Sequence, residues 1–81
     1  MKKEDIKLLI AEALETQIEN LSDDAGMDNT DGWDSLGHLS ILQALSNKFG
    51  DAFDSIPEIS SATSLRQIYQ KLEESGLLED N

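Results

Sequence analysis

The chain has 81 residues, 17 of them acidic against six Lys and Arg, with one histidine, no cysteine and a formal net charge of -11. A chain of this length makes a single domain, residues 1–81, that buries only roughly 60% of the surface exposed on unfolding. Without cysteine it has no disulfide, zinc-thiolate site or thiol nucleophile. The charge argues against a nucleic-acid surface and for partners that carry basic patches. No apolar run approaches the about 18 residues of a membrane span. The opening MKKEDIKLLIAEAL starts with two lysines, but Glu4, Asp5, Lys7, Glu12 and Glu15 break the apolar stretch at helical intervals, so it reads as a mature cytoplasmic helix and not a signal peptide.

Ile6, Leu9, Ile10, Ala13, Leu14 and Ile18 follow the i, i+3, i+4, i+7 pattern, which predicts a first helix over about residues 3–18. From Glu19 to Asp34 the periodicity vanishes and Ser, Asp, Gly and Asn dominate, predicting a long loop that Leu21 and Met27 pin to the core. Between Lys7 and Lys48 there is no lysine or arginine, while Glu12, Glu15, Glu19, Asp23, Asp24, Asp28, Asp31 and Asp34 all fall there. That half projects a negative field, and screening its self-repulsion should raise the melting temperature between low and moderate ionic strength. An unchanged melting temperature would contradict this.

A second helix follows from Leu36. Its apolar positions, Leu36, Leu39, Ile41, Leu42, Ala44, Leu45 and Phe49, form a stripe wide enough for two neighbours, and Gly50 is suited to end it. In DAFDSIPEISSA, Pro57 is placed to open a helix of one or two turns with Ser55 as its cap. Leu65, Ile68, Tyr69 and Leu72 predict the last helix, with Ser64 and Gln67 as a capping box and Gly76-Leu77 as its stop. No segment alternates with period two and no repeat is visible, so the expected architecture is an all-α four-helix bundle, three helices longer and the third short.

The stretch GWDSLGH, Gly32 to His38, sets Ser35 at the start of the second helix. Asp34 or Ser35 can cap that helix by accepting from its first free N–H groups. A hydrolase elbow cannot be built here: Trp33 stands in the first glycine's place and no strand precedes the serine. His38 is three residues beyond Ser35 on the same helix, with no orienting acid or oxyanion hole in view, and is expected to face solvent or a partner. An EF-hand loop aligned on Gly32 would begin at Met27 and end at His38, where Asp and Glu are needed, so no metal site is expected. Trp33 is expected to anchor the loop onto the bundle, with contact to a group attached nearby or stacking on a partner as the alternatives. A hydroxyl at the start of a helix is exposed, and a phosphate attached there meets the helix's positive end, although Asp31 and Asp34 oppose it by like charge.

The run DSLGHLSILQALSNKFG, Asp34 to Gly50, resembles the Asp-Ser-Leu segment of acyl carrier proteins, and helix order, length and acidity extend the resemblance over nearly the whole chain. The resemblance implies an acyl-carrier-type bundle that is not itself an enzyme. Ser35 would receive 4'-phosphopantetheine from coenzyme A, transferred by a magnesium-dependent phosphopantetheinyl transferase. Acyl groups would then be held as thioesters and presented to acyl-loading and acyl-processing enzymes by a cytoplasmic monomer. Asp34, Leu36, Leu39, Ser40 and Gln43 match the face that the family presents to transferases and partner enzymes; Ile41, Ala44 and Leu45 match positions lining the acyl pocket, and are equally ordinary core.

Several residues depart from the family's pattern. Many fatty-acid carriers resemble Asp-Ser-Leu-Asp-x-x-Glu here, whereas this chain has Gly37 and Ser40, then Ser46, Asn47 and Lys48. A recognition helix so poor in carboxylates implies weaker steering toward basic surfaces and a dedicated carrier in a specialised fatty-acid, polyketide or related pathway. Gly37 is also expected to weaken the helix relative to alanine. The competing readings are an aminoacyl or peptidyl carrier of the same fold, and an unmodified acidic interaction protein.

Overall fold

The computed structural model describes residues 2–78. Four α-helices, α1 (Lys3–Ala13), α2 (Ser35–Phe49), α3 (Asp51–Asp54) and α4 (Leu65–Glu74), are joined by segments that contain two 3-10 helices, Ile18–Asn20 and Pro57–Ser61. Among the described residues there is no strand, only an isolated antiparallel bridge between Gly26 and Ser64. The domain is mostly helical, and no described helix is long and apolar enough to cross a membrane.

The apolar stripes meet in one core. Ile6 and Ile10 of α1, Ile41 and Leu45 of α2, and Leu65, Ile68 and Leu72 of α4 are fully buried, with Leu21, Ile56 and Ile59 closing the gaps between helices. At the start of α1 the Asp5 carboxylate accepts the Lys2 backbone N–H at 3.1 Å. Tyr69 of α4 holds the same end: its hydroxyl donates to the Lys3 carbonyl at 3.2 Å, and the Lys3 ammonium sits 5.6 Å from the ring centroid. Burial, and secondarily the charge of Asp23, push the Tyr69 phenol up to about 12.

α1 stops about five residues short of the expected end. Glu15 takes a left-handed conformation, φ +57°, with its N–H bonded to the Glu12 carbonyl and the Thr16 N–H to the Ala11 carbonyl. This is the six-to-one and five-to-two closure usually built on glycine. Ile18 still packs against the core, from the following 3-10 helix, so the apolar spacing carries on into a different element. Glu15→Gly removes a left-handed strain of about 1–2 kcal/mol and adds freedom to the unfolded chain, so it should stabilise by about 0.5–1 kcal/mol. A thermal melt checks this, and a lower melting temperature would refute it.

The segment before α4 also differs from expectation. Ser55 does not cap the Pro57 helix. Its hydroxyl donates to the Ala52 carbonyl at 2.7 Å and closes α3, while Ile56 occupies the cap position with no side-chain acceptor. The one short helix is therefore two short elements. Ser64 caps α4, its hydroxyl accepting the Gln67 N–H at 3.2 Å; Gln67 reaches back to the Thr63 N–H, one residue earlier than a reciprocal box requires. Gly76, at φ +75°, ends it as expected, with the Leu77 N–H on the Leu72 carbonyl.

The 21–34 loop is stitched down along its length. Leu21 and Ala25 are buried and Met27 packs against the core. The Met27 N–H donates to the Thr63 carbonyl and the Leu65 N–H to the Ala25 carbonyl, while Asp23 pairs with Lys7 and Asp24 with Arg66. Two of the loop's acids are thus paired with α1 and α4.

Candidate functional site

The turn that carries Ser35 is held by three local constraints. Asp34, the residue before α2, has an extended backbone and accepts the Gly37 N–H at 2.9 Å, which caps the helix. Ser35 is then the first helical residue, and it is exposed. Gly37 lies where a side chain cannot: a Cβ would overlap the Gly32 carbonyl oxygen and stand 2.8 Å from the Leu14 Cδ2. The expected weakening of the helix by this glycine is therefore outweighed by the close approach it permits.

The third constraint comes from Trp33 and His38, and here the sequence reading is corrected. His38 does not face solvent. It is 9% exposed, on the inner side of α2 with Ile41 and Leu45. Trp33, 1% exposed, anchors the loop as expected and donates its indole N–H to His38 Nδ1 at 3.2 Å, the two rings lying edge to edge and nearly coplanar with 18° between their planes and 6.5 Å between their centroids. His38 Nε2 lies 2.9 Å from the Ser60 carbonyl oxygen. The burial of His38 had a readable signal, because positions 38, 41, 42 and 45 make one helical stripe. Among the described residues, every buried polar side-chain atom has a hydrogen-bond partner.

Outward from Ser35 the face is apolar and neutral. Leu36 is 75% exposed and Leu39 61%, and with Ser40 and Gln43 they form one exposed stripe at i, i+3, i+4, i+7. Asp34, Ser35, Leu36, Leu39, Ser40 and Gln43 are thus brought together on a single surface. Ile41, Ala44 and Leu45 are not brought together in the same way. Ile41 and Leu45 are wholly enclosed by the core, whereas Ala44 lines an open groove of about 480 Å³ between α1 and α2, with Leu9, Glu12, Ala13, Asn47 and Lys48.

Chemically, this is an exposed primary alcohol on a rigid first turn, flanked by one carboxylate and two solvent-facing leucines. Its neighbours within the turn serve as cap and packing, and His38 has both ring nitrogens engaged away from Ser35. Such a hydroxyl is suited to being acted on by another protein. Compared with known proteins, the chain matches no family model, no curated protein and no solved structure.

Proposed function

We propose that the chain is a carrier protein of acyl-carrier type, with Ser35 as the attachment point for 4'-phosphopantetheine. The observation that supports this most is the exposed Ser35 hydroxyl on the first turn of a 15-residue helix, behind the Asp34 cap and beside Leu36 and Leu39. A phosphodiester fits there, because the first turn of a helix presents free N–H groups and the positive end of the helix dipole. When bound, the arm supplies the thiol that forms thioesters, a group this cysteine-free chain lacks.

The chain's own residues hold and display the serine. Asp34 fixes the first turn, Leu36 and Leu39 offer apolar contact area to a transferase or processing enzyme, and Ser40 and Gln43 extend that face without charge. With no acid on α2, attraction to basic partner surfaces falls to Asp34 and the preceding loop. This supports a dedicated carrier in a specialised fatty-acid, polyketide or related pathway.

Intact mass before and after incubation with coenzyme A, magnesium and a broad-specificity phosphopantetheinyl transferase tests the reading. Wild type should gain the mass of the arm, and Ser35→Ala should gain nothing at an unchanged melting temperature. A folded wild type that several transferases leave unmodified would instead assign the chain as an acidic interaction protein.

A further inference from the structure

The geometry points to His38 as a positioning residue for Ser35, acting through Trp33, with the Pro57–Ser61 3-10 helix setting the state of its ring. The inference rests on Ser35 being the attachment site. An indole N–H can only donate, so His38 Nδ1, 3.2 Å from Trp33 Nε1, is the bare nitrogen. The proton is then on Nε2, which donates to the Ser60 carbonyl at 2.9 Å. That carbonyl can only accept, so it selects the one neutral tautomer in which Nδ1 is open to Trp33.

The side-chain bond joins positions 33 and 38 across the stretch that contains Ser35 and closes it into a ring. The Asp34 cap on Gly37 lies inside this ring, so both act on one turn. His38 also carries the constraint further, because Ser60 is 22 residues along the chain. With the Trp33 bond gone, the turn should sample more conformations. A transferase that binds only the closed turn would then show a KM raised by the inverse of the closed fraction, with kcat unchanged.

Three variants separate the two bonds. Trp33→Phe keeps a ring and loses the N–H. His38→Asn places its Oδ1 near the Nδ1 position and keeps the Trp33 bond alone. His38→Gln places its amide nitrogen near the Nε2 position and keeps the Ser60 bond alone. Trp33→Phe and His38→Gln should each raise the KM for arm transfer, by up to about fivefold to tenfold, the limit set by the worth of one net hydrogen bond. Their combination should raise it no further, because both remove the same contact. His38→Asn should stay near wild type, and amide exchange at Gly37 should quicken in the first two variants alone.

Equal losses in His38→Asn and His38→Gln, or KM values that follow melting temperature whichever bond is kept, would make His38 a packing residue only. Should wild type accept no arm, the attachment reading fails by itself. Gly37 exchange would still decide whether the Trp33–His38 bond holds the turn, and unaltered exchange would overturn it.

Discussion

Trp33→Ala should lower the unfolding free energy by about 3–5 kcal/mol, the range for truncating a large aromatic side chain in a core. Trp33 is among the largest fully buried side chains of the domain. Its removal opens a void between the loop and α2, and it also leaves His38 Nδ1 with no donor in a buried place, which costs a further fraction of the about 1–3 kcal/mol of an unmet polar group. A single-core domain of this size has only about 3–5 kcal/mol to lose. The variant should therefore be largely unfolded near room temperature, as read by circular dichroism in a urea titration. Trp33→Phe should lose much less, because most of the ring volume remains. A Trp33→Ala midpoint close to wild type would show that the loop carries little of the fold's stability.

Gly37→Ala runs against helix propensity, which by itself favours alanine by about 0.5–1 kcal/mol. The structure reverses the sign. The added methyl would overlap the Gly32 carbonyl and press on Leu14, and the Gly32 neighbour is backbone, so relief requires the loop to move away from the first turn of α2. Overpacking of this kind costs about 1–3 kcal/mol, or a fall in melting temperature on the order of 4–8 °C per kcal/mol for a domain of this length. The Asp34 cap should weaken with it, since Gly37 supplies the N–H that Asp34 accepts. An alanine variant that melts at or above the wild-type temperature would mean that Gly32 yields easily.

What could be read in advance follows from the range of the interactions. The buried stripes of α1, α2 and α4 are local periodicities, and Gly50, Ser64 and Gly76 announce helix ends through their own backbone or side-chain chemistry. The end of α1 was hidden because Glu15 adopts a glycine's conformation without being glycine, while apolar spacing runs on to Ile18. The cap before Pro57 was misplaced because Ser55 is spent on the Ala52 carbonyl. At the candidate site, spacing alone puts Leu36 and Leu39 in the apolar stripe of α2, whereas they are 75% and 61% exposed; the face they share with Ser40 and Gln43 is implied by the resemblance to acyl carrier proteins. The roles of Gly37 and His38 could not be read in advance, because they depend on a carbonyl at Gly32 and another at Ser60 that only the folded chain brings near.

The chain has one tryptophan, and its indole lies inside the same turn as Ser35, hydrogen-bonded edge to edge with an imidazole. The molecule therefore carries an intrinsic fluorophore at its proposed working end, with a polarity-sensitive emission and an adjacent ring able to quench it. Attachment at Ser35, docking of a partner on Leu36 and Leu39, and movement of the Pro57–Ser61 segment would each reach that indole through at most a few bonds, so unlabelled protein can report its own state in ordinary solution.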